Sequence, residues 1–191
     1  MEANAIHTDS KISERSTAKM LLWIGIISII MLFSGLTSAY IVRQEEGNWT
    51  KFQLPQIFWL STSIIILSSV SLNWALSSAK KNNTSNISKG LAFTLLLGIS
   101  FVVSQFMAWK DLVSQNIFMV GNPSGSFLYV ISGLHLAHLI GGLICLSVVL
   151  AKGMNGKYNS QNLLGIQLCS IYWHFLTALW VYLFFFLMFV R

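Results

Sequence analysis

Five stretches of this chain are each long and apolar enough to cross a lipid bilayer, and no Asp, Glu, Lys or Arg lies inside any of them. They run over residues 20–42, 54–79, 90–109, 126–151 and 165–190. A membrane span needs about 20 mostly apolar residues, and in hydrocarbon its backbone groups must bond within the segment. The sequence therefore predicts an all-α membrane protein, a bundle of five transmembrane helices. Residues 1–19 are polar and are expected to form a flexible or surface-lying tail. Thr37-Ser38-Ala39 resembles a signal-peptide cleavage site, but the apolar run is too long and continues past it, so a retained helix is expected.

Composition supports this division: 54% of the residues are hydrophobic and 9% charged, against roughly a quarter charged in soluble domains. The net charge of +6 does not call for nucleic acid, because the lysines and arginines sit at span ends where membrane topology accounts for them. The tail and the second and fourth connectors hold eight Lys and Arg (Lys11, Arg15, Lys19, Lys80, Lys81, Lys89, Lys152, Lys157), and the other side holds four (Arg43, Lys51, Lys110, Arg191). The positive-inside rule then places the N-terminus in the cytoplasm and the C-terminus outside. The connectors are too short for a soluble domain, and Asn122-Pro123-Ser124-Gly125 is expected as a turn within one of them.

Packing signals lie within the spans. Gly133, Ala137, Gly141 and Cys145 recur every four residues, and Ser34 with Ser38 and Gly35 with Ala39 do the same in the first span. Such small residues let helices approach closely in lipid. Thr62, Ser69, Asn73 and Ser77 mark a polar face of the second span that should point at protein, since an amide facing lipid tails is costly. Trp49, Trp59, Trp109 and Tyr129 lie near span ends, as interfacial belts do.

The histidines are the sharpest chemical feature. His135 and His138 share one side of the fourth span, and His174 lies in the fifth within Tyr172-Trp173-His174-Phe175. His138 lies ~18 Å from the outer end of its span and His174 ~14 Å from the inner end of its own, so they reach similar depths in a core about 30 Å thick. A haem held between these two imidazoles is geometrically conceivable. No Arg or third ligand accompanies them, however, and Cys145 and Cys169 stand as isolated small hydrophobes rather than a disulfide or metal framework. Interhelical packing is the preferred reading. His7 in the tail carries no evident role, and Trp173, Tyr172 and Trp180 read as packing anchors. A transporter is disfavoured too: five spans do not form two equal inverted halves, no span holds a carboxylate, and Pro55 and Pro123 lie at span edges.

The series Gly133-Leu134-His135-Leu136-Ala137-His138-Leu139-Ile140-Gly141, followed by Tyr172-Trp173-His174-Phe175 and Trp180, resembles subunit III of the haem–copper oxidases. The resemblance extends over all five spans: Trp23, Ser28, Met31, Phe33, Gly35, Ala39 and Tyr40 in the first, Leu54-Pro55, Thr62, Ser68-Ser69 and Trp74-Ala75 in the second, Gly98, Phe101, Gln105 and Trp109 in the third. Two positions depart from the family pattern. Ile29 stands where many members carry a glutamate, and Thr177 where an aspartate is common. Roles of those acids cannot be carried over, and His174 is expected to be neutral and to bond a hydroxyl, amide or carbonyl of another helix.

The resemblance implies a short five-helix form of a seven-helix subunit, acting as a non-catalytic accessory in a proton-pumping cytochrome c oxidase of a bacterial inner membrane. Haem and copper are then expected on partner subunits, with none bound by this chain. The implied partners are oxidase subunit I as the main contact, subunit II and further subunits of the complex, and membrane phospholipid. Asn73 joins His135, His138, His174, Tyr172, Trp173, Trp180, Gly133, Gly141, Gln105, Trp109, Trp23 and Tyr40 as candidate structural, partner-contact or lipid-contact residues. An accessory subunit of a nitric oxide reductase or of a quinol oxidase is the nearest alternative, and a bis-histidine haem electron carrier a remote one.

Overall fold

A computed structural model describes residues 2–50, 53–81, 84–155, 158 and 163–190, apart from the side chains of 2–15 and 84. It contains α1 (Glu2–Glu45), α2 (Ile57–Lys80), α3 (Thr84–Ser114), α4 (Pro123–Met154) and α5 (Leu164–Phe189), with no strand among the described residues. All five helices are long and apolar enough to cross a membrane. The shortest, α2, has 24 residues, about 36 Å at 1.5 Å per residue and so longer than the hydrocarbon core.

The helices outrun the apolar stretches that define them. The polar stretch expected as a flexible or surface-lying tail is helical from Glu2 and continuous with the first span, and α3 carries on through Lys110–Ser114. Once a helix is nucleated each added residue contributes a backbone bond at little cost, so a span can extend into polar flanks. The expected turn at Asn122–Gly125 is instead the start of α4. Asn122 is an extended N-cap whose Oδ1 accepts from Ser124 N, and Pro123 occupies the first turn, where its missing N–H costs nothing.

Packing divides the helices into a ring and a flank. Neighbours around the ring are α2 with α3, α3 with α4, α4 with α5, and α5 with α2, while among the described residues α1 touches only α4 and α5. The α2–α3 contact is the most extensive, and the helices lie close at Gly90, where a Cβ would lie 2.8 Å from Ala75 Cβ. Ser71 Oγ donates to Gly90 O across the same crossing at 3.1 Å. In contrast, α1 buries fully only a narrow stripe, Ile26, Phe33, Thr37 and Tyr40, among its described side chains.

The small-residue ridges read from sequence face away from this packing. Ser34, Gly35, Ser38 and Ala39 of α1 and Ala137, Gly141 and Cys145 of α4 are exposed, and a Cβ at Gly35 or Gly141 would meet nothing within 4 Å. Close approaches between helices occur at Gly90, Gly98 and Gly142, among other glycines, instead. Four-residue spacing identifies a face of a helix, but it does not say on which side the neighbours lie. The α2 polar face is likewise split: Thr62 is buried and Ser69 half-buried, whereas Asn73 and Ser77 are exposed.

Candidate functional site

The wall between α2 and α5 is held by a ladder of aromatic and imidazole nitrogens from α5. Trp180 Nε1 donates to Thr62 Oγ1 at 3.1 Å, and Trp173 Nε1 donates to Ser68 Oγ at 3.0 Å. His174 completes the ladder, with Nδ1 against Ser69 Oγ and Nε2 3.1 Å from Asn73 Oδ1. Thr62 near the start of α2 pairs with Trp180, and Ser68, Ser69 and Asn73 further along pair with the earlier Trp173 and His174, so the two helices are antiparallel. Bonds of this kind suit a bilayer interior, where no water competes and apolar side chains are as content against lipid as against protein. The partners of His174 are a hydroxyl and an amide of another helix.

The other two histidines behave differently. His138 Nδ1 lies 2.7 Å from Leu134 O in its own helix, and its ring packs edge-on to Phe33 of α1. The His138 carbonyl accepts from Tyr172 OH at 3.2 Å, so this residue joins α4 to α5 through its backbone. His135 is fully buried among Trp180, Phe101 and Phe33, with neither ring nitrogen hydrogen-bonded. Of the three imidazoles only His174 therefore bridges helices, and it bridges α5 to α2 rather than α4 to α5.

This placement removes the geometry needed for a haem between His138 and His174. The first ring is turned to α1 and the second to α2, and α1 and α2 are not in contact. Both nitrogens of His174 are already engaged. Among the described residues no group of three or more His, Cys, Asp or Glu is placed to hold a metal ion.

The remaining candidates fall into an inner and an outer set. Gln105 is buried, and its Nε2 donates to Ser61 Oγ at 3.1 Å, tying α3 to α2. Trp109 Nε1 donates to Ser132 Oγ at 3.1 Å and its ring lies 3.9 Å from where a Gly133 Cβ would sit, which ties α3 to α4. Tyr40 is buried where α1 meets the bundle, edge-on to Trp49, Phe127 and Phe186. Trp23, by contrast, is about half exposed, and Gly141 opens onto free surface. Thr177 donates to Trp173 O one turn back, and Ile29 packs half-buried against the core. Neither provides a charge.

Several positions that organise the site are not among the candidate residues read from sequence, although Ser68 and Gly98 lie within the family resemblance. Ser61, Ser68 and Ser132 are the acceptors for Gln105, Trp173 and Trp109. Gly98 lets α3 pass the Trp173 ring, since a Cβ there would lie 2.7 Å from Leu143 Cδ2 and 2.8 Å from Trp173 Cη2. Asn122 links connectors at one end of the bundle: Nδ2 donates to Thr50 Oγ1 and Asn48 O, and Ser124 Oγ donates to Thr50 O at 2.9 Å. The Asn-Pro dipeptide was the available signal for this last cluster. A serine in an apolar run gives none, because most serines there bond their own helix, as Ser63 and Ser147 do.

Comparison with known proteins places this bundle. The sequence model of the family described as cytochrome c oxidase subunit III matches residues 11–190. A probable cytochrome c oxidase subunit 3 of Nocardia farcinica is 29% identical over 177 residues, covering 90% of this chain and 86% of the relative. Its counterpart in Mycobacterium leprae is 28% identical over 175 residues, covering 89% and 85%. The cytochrome c oxidase subunit 3 of Spodoptera frugiperda is 31% identical over 138 residues, covering 71% of this chain and 90% of the relative.

Proposed function

The chain belongs to the cytochrome c oxidase subunit III family, and we propose that it serves its oxidase as a rigid accessory bundle docked on subunit I, non-catalytic in itself. As an accessory subunit III it works in a complex with other oxidase subunits, and it is a multi-pass membrane protein. The reading carries further to subunit II as a second neighbour, to phospholipid against the exposed apolar faces, and to support of stability and sustained proton uptake. Haem and copper belong to the partner subunits.

The observation that carries the docking role is the contrast between the faces of the bundle. The signature residues Trp173, Trp180, Gln105 and Trp109 are spent on internal bonds, while Ala137, Gly141, Ser34, Gly35, Ser38 and Ala39 lie on the outside, where small residues admit the close approach of another helix. The excess of Lys and Arg on one side supports an N-terminus in the cytoplasm and a C-terminus outside, with residues 1–19 as a cytoplasmic extension and 20–191 as the membrane domain. A bacterial inner membrane fits the bacterial relatives.

Extraction of an affinity-tagged chain in mild detergent tests this. Recovery of a haem-bearing subunit I with cytochrome c oxidase activity is the expected result. Isolation of the chain without any haem–copper partner would overturn the proposal, and recovery of a nitric oxide reductase would reassign the complex.

A further inference from the structure

The two cysteines, isolated in the sequence, are neighbours in the fold. Helices α4 and α5 run antiparallel, and three contacts fix their register: His135 packs on Trp180 with ring centroids 5.0 Å apart, the His138 carbonyl accepts from Tyr172, and Gly142 lies against Tyr172, Trp173 and Leu176. A Cβ on Gly142 would lie 3.3 Å from Leu176 Cδ1 and 3.4 Å from the rings of Trp173 and Tyr172, so the helices cross closely there. Three residues further along α4 is Cys145, and three residues back along α5 from Tyr172 is Cys169. That register sets the two thiols against each other across the helix crossing. Cys145 lies on the exposed surface of the bundle and Cys169 is buried behind it.

We propose that Cys145 and Cys169 form a dithiol–disulfide pair that reacts with lipid-soluble hydroperoxides and reversibly staples α4 to α5. Cys145 is exposed one turn past Gly141, beyond the stretch assigned to docking, and is the thiol that meets an oxidant dissolved in the bilayer, while the buried Cys169 is placed to resolve it. In the first step the Cys145 sulfur attacks the terminal peroxide oxygen of ROOH. The S–O bond forms, the O–O bond breaks, and the alkoxide leaves as ROH with the thiol proton. The Cys169 sulfur then attacks the Cys145 sulfenic sulfur, forming the S–S bond and expelling hydroxide, which leaves as water with the Cys169 proton. Two thiols lose two electrons and the hydroperoxide gains them. A disulfide requires Cα atoms within about 7 Å, closer than most packed helices come, and Gly142, three residues from Cys145, marks a close crossing of α4 and α5. A resolving thiol beside a sulfenic acid also diverts it from irreversible overoxidation.

The test is made on native membranes containing the assembled oxidase, treated with cumene hydroperoxide and analysed by differential alkylation and mass spectrometry. A bridged Cys145–Cys169 peptide that dithiothreitol removes is expected. A Cys169→Ser variant should instead give a dimedone adduct at Cys145, and a Cys145→Ser variant should leave Cys169 reduced. Recovery of both thiols unreacted, or of Cys145 as sulfinic or sulfonic acid while Cys169 stays alkylatable in the wild-type chain, would overturn the proposal.

Discussion

Trp180 Nε1 donates to Thr62 Oγ1 across the α2–α5 wall at 3.1 Å, between residues 118 positions apart in the chain. Both side chains are buried, so neither has an alternative partner in solvent or lipid. The same indole stacks on Phe58 and meets Phe101 and His135, which makes it the point where α2, α3, α4 and α5 converge. Family membership and helix count do not explain why that point is rigid. The hydrogen bond and the three ring contacts do.

Thr62→Val keeps the shape of the side chain but removes the acceptor and leaves the Trp180 N–H buried and unpaired. The cost expected is about 1–3 kcal/mol, seen as a lower unfolding midpoint in a detergent titration of the purified complex. Thr62→Ser restores the acceptor and should recover most of it. Equal losses in the two variants would show that the methyl group, not the bond, matters.

Gly98 and Gly141 distinguish the inside of the bundle from its outside. Gly98→Ala drives a methyl into Leu143 and the buried Trp173 ring, and overpacking of this kind costs about 1–3 kcal/mol. The methyl of Gly141→Ala meets nothing within 4 Å in the chain itself, so the isolated subunit should unfold as the wild type does while its retention by the oxidase falls. Unfolding measurements on the free chain, paired with co-purification yields, check both halves.

The bonds from His174 to Ser69 and Asn73 are open to a double-mutant cycle. Interhelical hydrogen bonds in membranes average about 0.6 kcal/mol and reach about 1.7, and a coupling energy in that range is expected for His174→Phe with Asn73→Leu. Additive effects would mean the bond contributes nothing. Neither variant should alter the haem spectrum of the complex, as His174 has no nitrogen free for a metal.

His135→Phe carries the opposite expectation. The ring lies among three aromatics with both nitrogens unpaired, and replacing an unsatisfied buried polar group by an apolar one of similar shape is neutral or stabilising. The variant should therefore unfold at or above the wild-type denaturant concentration. A large loss of stability would reveal a partner for the imidazole.

Asn122→Ala removes the α4 N-cap together with the links to Thr50 and Asn48. Loss of such a cap costs about 0.5–2 kcal/mol. Hydrogen exchange should rise at Ser124 and along Asn48–Thr50 and stay unchanged at the α2–α5 wall.

Much of this architecture is legible in the residues themselves. Apolar runs without charge fix five helices, because a backbone in hydrocarbon has no other way to satisfy its polar groups. The Tyr172–Phe175 and Gly133–Gly141 motifs identify the family, and an imidazole in an acid-free span predicts a neutral hydrogen-bonding partner, which His174 has. The roles of His135 and His138 were not readable, since their shared helix face does not say which neighbours it meets.

Sequence alone determined the class, number and approximate limits of the helices, as these depend on local composition summed over a span. Only the tertiary structure decided which serines accept bonds, which glycines are crossings and which lie open, and that Cys145 meets Cys169. Those outcomes depend on the rotation and register of one helix against another, set by many weak contacts between residues far apart in the chain. A one-residue change in helical phase turns a side chain by about 100°, from protein to lipid, without altering the composition that defines the span.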